Sequence, residues 1–244
     1  MATMDGHRLV VISPHLDDGV FSCGDLLASH PGSFVMTVFA GRPRNDMALT
    51  PWDAASGFQP GDDVIGCRRR EDARALALLA ARPIWLDFLD AQYAQPATTE
   101  EIVEALSAAI DRAHAQTVAM PMGLFHDDHR QTYEACLLAR RRDEGLRWLV
   151  YEDAIYRKVP GLLDERQRSR GWRVHAPEPF SLPGRPASVA KCRAVDVYQS
   201  QLRALMLPGH PGYENAFEPE RYWVLSGTGS AVGAALGRPN EVTS

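Results

Sequence analysis

Cysteine is scarce: Cys23, Cys67, Cys136 and Cys192 are the only four in 244 residues, and none stands in a CxxC spacing. Neither a zinc knuckle nor a disulfide framework can be built from them, so reduced, mostly buried thiols are expected. No apolar run approaches the eighteen or so residues of a membrane span, and the opening MATMDGHRLVV lacks the basic and apolar regions of a secretory leader. A cytoplasmic protein without a membrane partner is expected. Basic blocks are missing too. CRRRED at 67–72 gathers three arginines that acids follow at once, and the formal charge of -5 disfavours a nucleic-acid partner. Repeats and low-complexity runs are absent, as is the G-x-S-x-G elbow that would make Ser13 a nucleophile.

What is present is a chain with 45% hydrophobic residues, enough to bury one large core, and a single domain over 1–244 is expected. Short apolar runs at 8–13, 33–40, 83–88, 117–122 and 147–152 alternate with helical patterns at about 19–29, 65–81, 98–114 and 130–142. That alternation predicts an α/β fold, a Rossmann-like parallel sheet of order 3-2-1-4-5 flanked by helices, with its core at about 7–155. The stretch at 40–63, rich in Gly, Pro and Asp, is too long for a routine connection and reads as a functional loop. Beyond residue 155 the pattern weakens. A small α+β addition is expected at about 156–226, with a short antiparallel piece within 159–186 and one helix over 187–205. The Gly- and Ala-rich tail after 226 is expected to be disordered.

Strand 1 ends in PHLDD, which crowds His15, Asp17 and Asp18 together, and strand 4 runs into MGLFHDDHRQTYEA, which carries His126, Asp127, Asp128 and His129. In a 3-2-1-4-5 sheet the order reverses between strands 1 and 4, and ligands gather at the carboxyl ends there. The two most ionisable loops are thus expected to be neighbours. Two imidazoles and a carboxylate can hold a catalytic Zn2+ and leave a position for water whose pKa falls towards 7. With His15, Asp18 and His129 as ligands, Asp17 remains to take a proton, and His126 to stabilise an oxyanion or protonate a leaving group. Either cluster alone also reads as a helix start, because Asp in a first turn is favourable without any function. Trp52, Phe58 and Tyr93 are weighed between stacking on a ligand and packing down as anchors, and His210, in PGHPGYEN, between a surface role and a loop over a pocket.

At these residues the sequence resembles the PIG-L (LmbE-like) N-acetylglucosaminyl deacetylases, whose motifs PHxDD and HxDH read here PHLDD at 14–18 and HDDH at 126–129. The resemblance covers roughly the first 155 residues. It implies His15, Asp18 and His129 as Zn2+ ligands, Asp17 as general base, His126 as the group polarising the amide, and Asp128 as the residue that tunes His126. Arg68 and Glu71 match an Arg-x-x-Glu that opens a helix, and Asp90 an Asp after a strand; Arg68 and Asp90 are implied to hold sugar hydroxyls. The implied activity is hydrolytic N-deacetylation of an N-acetylamino sugar in a small glycoside, in a bacterial natural-product setting. Leu16, Gly19 and Leu124 depart from the family pattern, which bears on substrate choice. A non-haem Fe(II) oxygenase would also use two histidines and a carboxylate, and a non-catalytic sugar-binding protein would keep Arg68, Asp90 and the aromatics but have no reason to retain the acid and base.

Overall fold

Five apolar runs lie side by side in the computed structural model, which describes residues 8–44, 48–143, 145–169 and 187–225. They form β1 (Leu9–Ser13), β2 (Phe34–Thr37), β3 (Arg82–Trp85), β4 (Thr117–Pro121) and β5 (Arg147–Tyr151), joined by β6 (Tyr222–Leu225). The helices are α1 (Asp18–Ala28), α2 (Pro51–Ala55), α3 (Val64–Leu78), α4 (Thr99–Ala113), α5 (Asp127–Arg140), α6 (Leu162–Ser169), α7 (Val189–Val195) and α8 (Gln199–Leu205). The sheet order is β3-β2-β1-β4-β5-β6. The first five strands are parallel, as expected for near-continuous apolar runs covered on both faces. β1 is buried along its whole length, Val10 and Val11 at 0% exposure.

The sixth strand was not expected. β6 pairs antiparallel with β5, Leu149 opposite Val224, and so closes the sheet edge with residues from far down the chain. The short antiparallel piece expected within 159–186 differs: Leu162–Ser169 is helix, and 170–186 lie outside the described residues. The tail after 226 also lies outside them. The helix expected over 187–205 is two, broken at Asp196–Tyr198, where Tyr198 turns its hydroxyl into the core to donate to Asp72 at 2.8 Å. The 40–63 loop carries α2, started by the Thr50 side chain and Pro51.

α4 shows how the local sequence sets an element. Thr98 and Glu101 form a reciprocal capping box, and Ile102, Leu106, Ala109 and Ile110 fill the buried face. α1 is less regular. It is kinked at Cys23, whose φ of -134° leaves the helix ladder, and the freed N–H groups of Asp25 and Leu26 donate to the Glu220 carboxylate at 2.8 and 3.1 Å. Lys191 Nζ lies 2.6 Å from the same carboxylate, and Gly24 makes room, since a Cβ there would meet Lys191 Cγ at 2.6 Å. Among the described residues no helix is long and apolar enough to cross a membrane. All four cysteines are free; Cys23 and Cys136 are buried, Cys67 and Cys192 half-buried.

Candidate active site

β1 and β4 deliver their polar loops to the same carboxyl edge. Past β1, Ser13 Oγ accepts from the Gly19 N–H at 2.8 Å, pulling the start of α1 onto the strand; a Cβ on Gly19 would sit 2.9 Å from Val35. Past β4, His126 caps α5, its Nδ1 accepting from the Asp128 N–H at 3.2 Å. α5 therefore starts at Asp127, three residues before the expected position. These two starts bring His15, Asp18 and His129 together.

Asp18 Oδ2 lies 3.1 Å from His15 Nδ1 and 3.1 Å from His129 Nε2. His129 is fully buried, and its Nε2 makes no well-directed hydrogen bond despite that approach. A buried nitrogen in that state is costly unless something else engages it. The outer nitrogens are held by further carboxylates, His129 Nδ1 by Asp153 at 2.7 Å and His15 Nε2 by Asp128 at 3.0 Å. Imidazoles oriented by carboxylates behind them are the usual surroundings of a metal-ligating pair. The donor set of two imidazole nitrogens and one carboxylate oxygen, close enough to share one ion, fits a divalent cation such as Zn2+. A second group, His15, His126 and Asp128, shares His15.

The electrostatics agree. Burial works against charge on His129, but the carboxylates of Asp18 and Asp153 outweigh it and push its pKa up to about 9. His15 is likewise raised well above its ordinary value against the pull of burial, by hydrogen bonds to Asp128 and Asp18 and the charge of Asp90. Burial opposes ionisation of Asp18, yet the charge and close approach of His129 and the hydrogen bond from His15 hold its pKa well below the carboxylate range. Several carboxylates thus converge on one point and draw protons there.

Asp17 stands apart. It occupies the N-cap position of α1 but makes no side-chain capping bond, so the bland role available to it from sequence is not taken. It is 6% exposed and lines the cavity, and burial together with the neighbouring Asp18 raises its pKa to about 7. His126 behaves oppositely: burial and then the charge of His15 lower its pKa, leaving it neutral. Because its Nδ1 accepts from the backbone, its Nε2 carries the proton.

The cavity over these groups measures about 380 Å3 and is walled by Asp90, Gln92, Trp52, Phe125, Tyr156 and Leu205 among others. Trp52 donates to Gln201 at 3.0 Å and packs against the His210 ring, so both belong to the rim. Asp90, one-fifth exposed, faces His15 Nε2 at 3.9 Å. Arg68 does not reach the cavity. It is 3% exposed, paired with buried Asp53 at 3.0 Å and bonded to Ser56, with Phe58 against its guanidinium. Its guanidinium is held by α2 and its flanking loop, yet its Nε is buried without a hydrogen-bond partner and its charge is felt at Asp17. Phe58 and Tyr93 are anchors of the same loop, Tyr93 donating to Asp53 at 3.1 Å. Asp128 touches both imidazoles, its carboxylate 3.0 Å from His15 Nε2 and 3.8 Å from His126 Nδ1, where its charge works to raise the His126 pKa. Asp153, Tyr156 and Phe125 were missed in the sequence. Asp153 had a signal, a carboxylate directly after a parallel strand; the other two had none.

A doubly wound α/β sheet with a His–Asp–His centre at its switch point and two further ionisable groups beside it defines the class. The chain belongs to the PIG-L family, described as GlcNAc-PI de-N-acetylase, whose model matches residues 10–140, more than half of the chain. A relative, 2'-N-acetylparomamine deacetylase of Streptomyces fradiae, is 31% identical over 173 residues, covering 61% of this chain and 57% of that protein, so the match spans little more than half the relative's length. Among solved structures, a triple mutant of a deacetylase in the teicoplanin biosynthetic pathway superposes with a TM-score of 0.68 at 27% identity, covering 89% of this chain and 97% of that one. The A40926 pseudoaglycone deacetylase gives 0.66 at 25% identity, covering 90% and 97%.

Proposed function

We propose that this protein hydrolyses the N-acetyl group of an amino sugar carried on a small glycoside, with a divalent cation, Zn2+ by its ligand chemistry, held by His15, Asp18 and His129. The observation that carries this reading is the placement of Asp17: a buried carboxylate beside the candidate ligands that makes no capping bond and lines the cavity, where burial and Asp18 raise its pKa as a general base requires. A cation bound at the three ligands supplies Lewis-acid polarisation and makes water a better nucleophile. Asp17 takes the proton of the attacking water as its oxygen bonds to the carbonyl carbon. The Nε2–H of neutral His126 donates to the oxygen on which charge develops. The C–N bond then breaks, the proton held by Asp17 passes to the departing nitrogen, and acetate and a free amine result. Asp90 and Gln92 offer acceptors and donors to sugar hydroxyls, while Arg68 positions the 40–63 loop through Asp53. The relatives' descriptions as deacetylases on antibiotic pathways support the substrate class and its small-glycoside character.

The test is the Zn2+-loaded protein incubated with a panel of N-acetylated glycosides, free amine and acetate being followed by mass spectrometry with and without oxygen. Release of both, independent of oxygen, is expected; oxygen-dependent product formation would instead identify the Fe(II) chemistry. Asp17→Asn should retain the metal and lose about a hundred- to ten-thousand-fold in kcat, together with the acidic limb of the pH profile. In the native protein activity should rise with pH as Asp17 ionises, at or below about 7, because a bound cation pulls that value down. Near-native turnover of Asp17→Asn would remove it from the role of base.

A further inference from the structure

Phe125 is an anomaly at the mouth of the cavity. It is 55% exposed, behind only Val189 and Met206 among the large hydrophobics of the described residues, and it stands between Leu124 and His126 with a φ of +62°. The His126 N–H donates to the Leu124 carbonyl at 2.8 Å across it, so Phe125 is the central residue of a three-residue turn with positive φ, the uncommon and strained kind. Glycine would occupy that position without strain, as Gly123 does at φ +73° two residues earlier. An exposed aromatic ring kept in such a place points to something the ring touches, since strain of this sort gathers at ligand clamps. Its ring lies 5.1 Å from that of Tyr156, which in turn packs 5.2 Å from His129. With Ile155 they form an apolar wall that runs from the candidate metal ligands to the mouth.

Sheet order places this wall relative to the polar one. Asp90 and Gln92 follow β3, at one end of β3-β2-β1-β4-β5-β6, whereas Phe125 follows β4 and Ile155 and Tyr156 follow β5. The His15–Asp18–His129 cluster, past β1 and β4, lies between. An amide whose carbonyl sits at that cluster has its amine half on one side and its acyl half on the other. If the amine half is a sugar, its hydroxyls match Asp90 and Gln92, and the acyl half extends along Phe125, Ile155 and Tyr156. A methyl group uses only a fraction of such a wall. We infer that Phe125, Ile155 and Tyr156 form an acyl subsite for aliphatic N-acyl groups longer than acetyl, with Phe125 as the residue that sets chain-length preference. This rests on the reading that the site binds an N-acyl amino sugar.

The experiment measures binding and turnover separately. Binding of N-acetyl-, N-butyryl- and N-hexanoylglucosamine, and of hexyl N-acetylglucosaminide, is titrated calorimetrically into the Zn2+-loaded Asp17→Asn protein, which holds substrate without cleaving it. Affinity should rise with acyl length, by up to about fourfold for each methylene withdrawn from water and at least ~10-fold from acetyl to hexanoyl. The hexyl aglycone should give no comparable gain. Phe125→Gly in the same background should compress the acyl series to within about threefold and keep or raise the Tm because glycine relieves the turn. A flat series with Phe125 present, a gain from the aglycone instead of the acyl chain, or an unaltered series in Phe125→Gly would each overturn the subsite. Amine release by the native protein separates the two ideas: chain-dependent binding without any release sinks the hydrolytic function and leaves the subsite standing, whereas release from the acetyl sugar with a flat series does the reverse.

Discussion

Two of the ionic clusters buried among the described residues are built on opposite principles. Behind α1, the Glu220 carboxylate accepts from the Asp25 and Leu26 N–H groups, Lys191 Nζ and the Tyr222 hydroxyl, so both its oxygens are engaged twice. At the sheet's carboxyl edge, by contrast, one Asp18 oxygen faces two imidazoles, His129 Nε2 is left without a well-directed bond, and Asp17 makes no capping bond. The first is closed and repairs a broken helix; the second is open and converges on a point that protein atoms leave unfilled. The difference teaches that burial of charge alone does not mark a site; what sets the second cluster apart is that its incomplete partners converge at the carboxyl edge of the sheet.

If that contrast is right, damage to the open cluster should remove chemistry and spare the fold. Asp18→Ala, or His129→Ala, should lose nearly all bound metal and at least ~10,000-fold in turnover, more than removal of the base alone. The metal-free Tm should change little. Metal content by mass spectrometry and a melting curve on the same sample decide it, and a full complement of Zn2+ in either variant would sink the ligand assignment.

Damage to the closed cluster should do the reverse. Glu220→Ala leaves Lys191 buried without its partner and two N–H groups of α1 unsatisfied, and should destabilise by about 3–5 kcal/mol. Urea denaturation reads this directly. At a temperature where the variant remains folded it should still bind Zn2+, because no ligand is touched. Loss of metal from a demonstrably folded Glu220→Ala protein would show that the two clusters are coupled through α1, which carries Asp18 at its start.

The smallest effect sharpens the comparison at its boundary. Asp153 belongs to the open cluster but is closed itself, its carboxylate accepting from the Leu124 N–H at 3.0 Å and facing His129 Nδ1 at 2.7 Å. Asp153→Asn should weaken metal binding by about 10–100-fold without abolishing it. Metal must displace a proton from His129, whose pKa stands at about 9, so native affinity should climb with pH up to that value. In the variant the raising charge of Asp153 is gone, His129 titrates lower, and the climb should level off at lower pH. An identical pH profile in both proteins would show that Asp153 does not act through His129.

Much of this was legible in the residues, for reasons that differ from place to place. Five apolar runs with helical patterns between them determine a parallel sheet because a strand covered on both faces has no polar side to alternate. Once the order 3-2-1-4-5 follows, PHLDD and HDDH have to meet, since a doubly wound sheet brings strands 1 and 4 together at its switch point. Local sequence also sets several helix starts, Thr98 with Glu101 the clearest. What the sequence could not decide was direction and partnership across distance. Arg68 reads as a ligand group from its motif, and only the fold pairs it with Asp53 from a separate helix. Asp128 sits beside His126 in sequence but nearer His15 in space. β6 and the Lys191–Glu220 pair arise from contacts with β5 and α1 that no local pattern encodes. Residue types and periodicity determined the sheet and the loops at its edge; only tertiary packing decided which carboxylates are satisfied and which are left facing an open point, because satisfaction depends on atoms the chain supplies from elsewhere.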